Sequence, residues 1–271
     1  MILYIFLNDR QKLSVILKWQ LCFLKTASDC TQMKEGADWL QLTEEERSSS
    51  MQVIIAALNE EEGIGPTITE LMTTLKFPQV LVVDGRSSDR TVEIAKNMGA
   101  DVVFQDKLGK GNAIAKAIEY SKSDVDCFVI IDADYTYPAE YIPEMIRILQ
   151  ENPNVGMVCG NRFNRQVNEK TVYDAFFLGN RLIAFTHNLL NGIPLTDPLT
   201  GLRVVRGQIL RNWIVKSQGF DVEVELNHHV ERQGFTTVEV PIAYRQRLGQ
   251  KKLRIKHGAE ILKRIMLETT Y

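Results

Sequence analysis

The apolar run Cys127–Phe128–Val129–Ile130–Ile131 ends on two carboxylates, Asp132 and Asp134, with a single alanine between them. A run this short and this apolar reads as a strand covered on both faces, which places it inside a parallel sheet. In open α/β sheets, ligands bind beyond the carboxyl ends of such strands. Two carboxylates at that point suit a hard divalent cation, and such a cation usually also holds substrate phosphates. The same residues equally fit an Asp-rich turn leading into the helix that starts near Pro138 and Glu140.

The chain on either side of this run alternates. Strands are expected at 53–58, 79–83, 101–104 and 127–131. Helices are expected at 64–75, 89–98, 112–121 and 139–150. Strands alternating with helices of this length imply a parallel sheet with right-handed crossovers. Beyond about residue 156 the rhythm changes, with a strand at 157–163, a long helix at 176–191, a loop and short strand at 195–205, a helix at 221–233 and a strand at 236–244. No repeat at a solenoid period is visible. The organisation expected is therefore an N-terminal extension, 1–50, an α/β domain, 51–248, and a basic, amphipathic tail, 249–271.

Residues 1–50 differ in character and end in the polar stretch 43–50. They read either as an upstream-start artefact, with Met51 the natural start, or as a helical appendage around 12–25. The 271 residues suffice for a large core, and 45% hydrophobic with 24% charged residues is ordinary globular composition. A net charge of −2 argues against a general nucleic-acid binder. The four cysteines, Cys22, Cys30, Cys127 and Cys159, form no CxxC pair, so reduced thiols are expected rather than zinc or disulfides. No stretch approaches the roughly 18 apolar residues of a membrane span. The location expected is cytoplasmic, with peripheral contact at the cytoplasmic membrane face as an extension of it. The tail helix at 255–267, flanked by Lys251, Lys252, Arg254 and Lys256, fits either a membrane surface or packing on the core.

Three polar loops leave the ends of the first, second and fourth strands: Ala56–Ala57–Leu58–Asn59–Glu60–Glu61–Glu62–Gly63, Val83–Asp84–Gly85–Arg86–Ser87–Ser88–Asp89, and the Asp132–Asp134 turn. In a parallel sheet they converge on one edge. Together they offer what a nucleotide needs: backbone groups and Asn or Glu, a carboxylate for ribose, and a cation site for a diphosphate. Ser87–Ser88–Asp89 also reads as a helix N-cap. Gly109–Lys110–Gly111 adds a flexible turn with one ammonium suited to a phosphate or a nucleobase carbonyl.

These segments resemble the nucleotide-sugar half of family 2 glycosyltransferases with the GT-A fold, a Rossmann-like, mostly parallel sheet flanked by helices. Later segments are similar to the polyprenyl-phosphate (dolichyl-phosphate) branch. They are Gly160–Asn161–Arg162–Phe163, Leu195–Thr196–Asp197–Pro198–Leu199–Thr200–Gly201–Leu202–Arg203, Gly219–Phe220–Asp221–Val222–Glu223–Val224–Glu225 and Val238–Glu239–Val240–Pro241–Ile242–Ala243–Tyr244–Arg245.

The resemblance implies an inverting hexosyltransferase for glycan assembly. Its donor would be UDP-glucose or UDP-N-acetylglucosamine, with GDP-mannose as the other option, and its acceptor a polyprenyl or dolichyl phosphate. It implies that Asp132 and Asp134 hold Mg2+ or Mn2+ and that Ala56, Leu58, Asn59, Glu60, Asp84, Lys110, Asp132 and Ala133 meet the donor. Arg162, Arg203, Arg245, Arg247 and Lys252 would receive the acceptor phosphate. Asp134, Asp132, Arg203 and Glu225 would be the catalytic set, with Asp197 or Glu225 orienting the acceptor. Two departures stand out. The second loop has Val83–Asp84–Gly85–Arg86 in place of Asp-Asp-Gly-Ser, and Thr136 stands where a Gln often follows the paired aspartates. A family 2 enzyme with a soluble alcohol or polysaccharide acceptor, and a nucleotide-sugar-binding protein without turnover, are the competing readings.

Overall fold

The computed structural model describes residues 51–76, 78–121, 124–163, 175–252 and 255–269. All of them lie in a unit spanning Gln41–Tyr271. The extension 1–50 with Cys22 and Cys30, residue Arg254 and the side chain of Lys256 lie outside what is described.

The apolar runs form strands β1 (Met51–Ala57), β2 (Gln79–Asp84), β3 (Asp101–Phe104) and β4 (Cys127–Asp132). Between them lie helices α1 (Glu61–Leu75), α2 (Thr91–Asn97) and α3 (Lys110–Tyr120). A 3-10 turn, Ala139–Tyr141, and helix α4 (Ile142–Glu151) follow, then β5 (Val155–Asn161), α5 (Ala175–Asn191), β6 (Arg203–Arg206), α6 (Gly207–Arg211), α7 (Val222–Arg232), β7 (Thr236–Pro241) and α8 (Ile255–Thr269). The seven strands make one sheet in the order β3-β2-β1-β4-β6-β5-β7. β1, β2, β3 and β4 pair in parallel, as do β5 and β7, whereas β6 runs antiparallel between β4 and β5. The sheet is thus mostly parallel, and β6 is the departure from the simple alternation.

Successive side chains of a strand face opposite sides of the sheet, so β1 and β4 supply two cores at once. Val53, Ile55, Val129 and Ile131 pack with Ile64, Ile68 and Leu71 of α1 and Ile142 and Met145 of α4. Ile54, Phe128 and Ile130 pack on the other side with Ala113, Ile114 and Ala117 of α3. Each large side chain so buried contributes roughly 1.5–3 kcal/mol. Two-sided burial is what the unbroken apolar runs required. Cys127 and Cys159 are buried free thiols, and burial pushes both up to about 12.

Helix starts differ from expectation in an informative way. α1 begins at Glu61, three residues early, so the acidic run is a first helical turn whose charges face the positive end of the helix dipole. α3 begins at Lys110 rather than Asn112. The expected flexible turn at 109–111 is instead a tight contact. A Cβ on Gly109 or Gly111 would collide with the backbone at Gln218 and Ser217, and the Gly111 N–H donates to Gln218 O at 3.0 Å. The tail helix α8 lays Ile261 and Ile265 against Ile183 and Val224 while leaving Met266 exposed. No helix among the described residues is long and apolar enough to cross a membrane.

Candidate active site

The parallel strands β1 and β4 open their carboxyl ends onto a cavity of about 820 Å³. Ala56, Ala57 and Leu58 from the end of β1 line it, as do Lys110 from α3, Asp132, Ala133 and Asp134 from β4, and Arg162 from the end of β5. Glu60, Arg247, Lys251 and Lys252 complete its charged wall. Two glycines make room for the β4 turn. A Cβ on Gly63 would lie 2.6 Å from Ala133 O, and one on Gly201 would overlap the Asp132 carboxylate.

The two aspartates sit in different company. Asp132 Oδ1 accepts from Lys110 Nζ at 2.6 Å, and that ammonium is also 2.6 Å from Glu223 Oε1. Burial works against the Asp132 carboxylate and is the largest single influence on it, but the charge and hydrogen bond of Lys110, joined by the charges of Arg162 and Arg247, together hold Asp132 below the usual carboxylate range. Asp134 is pushed up, first by burial and then by the charge of Asp132. Its Oδ1 accepts from Thr136 Oγ1 at 2.6 Å and its Oδ2 from Arg247 Nη1 at 2.6 Å. Thr136, which stands where a third ligand was in question, therefore fixes the orientation of Asp134. Arg247 also bonds Glu60 Oε1, and Lys252 Nζ lies 2.8 Å from the same oxygen.

Asp132 Oδ2 takes no hydrogen bond from a described residue, and Glu60 Oε2 is buried without a partner. Burial, above all, raises Glu60. Oxygen donors left over beside a turn kept clear by glycine fit a hard divalent cation. Among the described residues no group of three His, Cys, Asp or Glu is disposed to hold an ion unaided. Phosphate oxygens would have to complete the shell, as they commonly do around Mg2+.

The remaining candidates divide. Arg162 lines the cavity and is fixed by Asp197, with Nε and Nη2 each 2.7 Å from a carboxylate oxygen. Its guanidinium lies 5.4 Å from the Tyr244 ring centroid, and its Nη1 makes no hydrogen bond among the described residues. Arg203 is a correction. It is fully buried, donating to Thr200 O, Pro198 O and Asn227 Oδ1, so it locks the 197–203 loop and does not face the cavity. Its partner is not Asp197, which Arg162 holds. Glu225 is a second correction, accepting from Trp213 Nε1, Lys216 N and Ser217 N as a loop anchor.

Asp84 is buried and closes its own turn, accepting from Ser87 N at 2.7 Å and Ser87 Oγ at 2.6 Å, away from the cavity lining. Asn59 accepts from Ser88 N and likewise does not line the cavity. Arg245 pairs with Glu70 outside it.

Glu223, Tyr137 and Tyr244 line the cavity although sequence reasoning did not single them out. Glu223 and Glu225 are two residues apart on α7, about 200° around a helix, so only one can face the cavity. A helical-wheel comparison of the two would have exposed the choice. Tyr137 accepts from Gly201 N at 2.7 Å, which ties the Asp132 turn to the Arg203 loop.

Residues 52–213 match the model of glycosyl transferase family 2. The chain is 33% identical over 202 residues to a dolichyl-phosphate hexose transferase of Haloferax volcanii, covering 74% of this chain and 85% of that protein. It is 25% identical over 221 residues to a dolichol-phosphate mannosyltransferase of Pyrococcus furiosus, covering 79% of this chain and 62% of that one. In fold it is similar to glucosyl-3-phosphoglycerate synthase from Mycobacterium tuberculosis, solved with Mn2+, UDP and glucosyl-3-phosphoglycerate. That match has a TM-score of 0.64 at 18% identity and covers 89% of this chain and 87% of the other. The same enzyme with Mg2+ and UDP gives a TM-score of 0.65 at 20% identity, covering 84% of each chain.

Proposed function

This chain belongs to glycosyl transferase family 2, and we propose that it moves a hexose from a nucleoside diphosphate hexose to a polyprenyl phosphate of the dolichyl class. UDP-glucose or UDP-N-acetylglucosamine is the favoured donor, with GDP-mannose second. One observation carries the reading: Asp132 and Asp134 stand at the end of β4 on a cavity that Lys110, Arg162, Arg247 and Lys252 also line. The names of the relatives, a dolichyl-phosphate hexose transferase among them, support the acceptor class.

In this reading Asp132 and Asp134 hold Mg2+ or Mn2+, which when bound screens the charge of the departing diphosphate. Ala56, Leu58 and Ala133 flank the nucleoside. Lys110 fixes Asp132, and Arg247 leaves Asp134 and Glu60 to meet donor phosphate. Arg162, oriented by Asp197, presents its free Nη1 to the acceptor phosphate; an arginine fork suits phosphate oxygens. An oxygen of that phosphate attacks the anomeric carbon. The bond from carbon to the diphosphate oxygen breaks, its electron pair leaves with the nucleoside diphosphate, and the configuration inverts. A phosphate monoester has its second pKa near about 6, so it attacks as an anion and positioning matters more than a base. The catalytic domain is 51–248, and α8 of the 249–271 tail carries the peripheral membrane contact through exposed residues such as Met266.

The test offers radiolabelled UDP-glucose, UDP-N-acetylglucosamine or GDP-mannose with a polyprenyl phosphate and Mn2+. Label is expected in the organic-extractable fraction. Transfer only to an aqueous acceptor, or donor binding with no transfer from any of the three, would overturn the proposal.

A further inference from the structure

The end of β3 brings a polar side chain into the cavity that none of the assigned roles uses. Gln105 follows that strand directly, lines the cavity, and is only 4% exposed. Its backbone N–H donates to Asp84 O at 3.0 Å, which docks the residue against the end of β2. No described residue hydrogen-bonds its carboxamide. The residue is almost wholly enclosed while its unpaired carboxamide borders the cavity, where a ligand group can meet it. The room for it comes from Gly85, where an added Cβ would lie 3.3 Å from Gln105 Nε2 and 3.2 Å from Leu58 Cδ1. Leu58, beside the same glycine, and Ala56, Ala57 and Leu108 give the cavity apolar lining. Apolar lining beside one open amide suits a heteroaromatic ring with one polar edge.

We propose that Gln105 reads the base of the donor nucleotide, its Oε1 accepting from a ring N–H that stands beside a carbonyl. Uracil and guanine both present that edge, and cytosine, with a bare ring nitrogen at the same position, does not. Gln105 is thereby a specificity-determining residue. The inference rests on the nucleotide-sugar reading given above.

The experiment measures dissociation constants of UDP, GDP and CDP, each with Mn2+, for the wild-type chain, Gln105→Met and Gln105→Leu. CDP matches UDP in size, so their ratio isolates the polar edge. The wild type is expected to bind UDP or GDP at least about tenfold more tightly than CDP, because a site built for a hydrogen bond rejects the analogue that cannot make it. Whether UDP or GDP binds more tightly identifies which of the two bases is read. In both variants that ratio is expected to shrink to within about threefold while the nucleotide-free protein keeps its melting temperature, since the carboxamide makes no hydrogen bond to a described residue. Three results would overturn the inference: a wild type indifferent to CDP, an unchanged ratio in both variants, or equal weakening of all three nucleotides. Absence of binding by any nucleotide to the wild type would remove the donor reading itself, and this inference with it.

Discussion

Glu223 reaches Asp132 through a shared ammonium: Lys110 Nζ stands 2.6 Å from Glu223 Oε1 and 2.6 Å from Asp132 Oδ1. Lys110 and Glu223 are both almost wholly buried there. Two carboxylates on one lysine leave a net negative charge facing the cavity. With Glu223 neutral, Lys110 would pair with Asp132 alone and cancel the charge a cation needs. Glu223→Gln is therefore expected to weaken Mn2+ binding in the presence of UDP, and to lower kcat/KM, by about 10–100-fold, as loss of a partner behind a ligand commonly does. Titration of Mn2+ by calorimetry reads the first effect independently of turnover. Binding within twofold of wild type would leave Glu223 a packing residue.

Arg203 and Arg162 should separate cleanly. Arg203→Met leaves Asn227 and two carbonyls without their buried donor, and a loss of about 3 kcal/mol or more is expected in urea unfolding. The KM for polyprenyl phosphate in the folded variant should stay within about twofold. A large rise in that KM would restore Arg203 to the acceptor site.

Arg162→Lys keeps the charge but loses the two-pronged contact with Asp197. The KM for the acceptor is expected to rise about tenfold or more, with the donor KM unchanged. An effect confined to the donor would move Arg162 to the other half of the site.

The histidine pair His187 and His228, on α5 and α7, sets a pH dependence of stability. Their ring centroids are 5.4 Å apart and each Nε2 is buried without a partner. Burial lowers His187 to about 4 and, with the charge of His187 added, lowers His228 to about 3. The unfolded chain takes up these protons near pH 6.5. Between there and about pH 4 it binds more protons than the folded chain, so stability falls as pH falls, by about 1.4 kcal/mol per unit for each excess proton. Above pH 6.5 the pair contributes no slope. Urea midpoints from pH 7.5 to 5 check this, and His228→Phe should flatten the decline. A midpoint constant down to pH 5 would mean the pair is charged in the folded chain.

The sheet was legible because buried parallel strands leave long apolar runs, and β1, β2 and β4 have them; β3, a half-exposed edge strand, was legible from its place in the alternation. The β4 carboxylates were legible for the same reason, since strand ends carry sites. β6 was less so: four residues, Arg203–Arg206, carry no sign of direction, and its antiparallel course depends on pairing with β4 and β5. Arginine partners are equally invisible in one dimension. Arg162 and Asp197 are 35 positions apart and Arg247 and Glu60 are 187 apart, so the sequence placed five basic residues at the acceptor and the fold brings three of them to the cavity. Gln105 was missed by an omission that physics could have repaired. After the third strand only Gly109–Lys110–Gly111 was read for chemistry, and the residue directly at that strand's end obeys the same rule.

The most direct measurement replaces Asp132 and Asp134 together by Asn and follows both sugar transfer and the rise in melting temperature caused by UDP with Mn2+. A ligand bound only by the folded state must raise that temperature. Transfer is expected to drop at least about a thousandfold, and the Mn2+-dependent part of the rise to vanish, in a chain that still unfolds cooperatively. Transfer within about tenfold of wild type, with the Mn2+-dependent rise intact, would contradict the role given to the two aspartates.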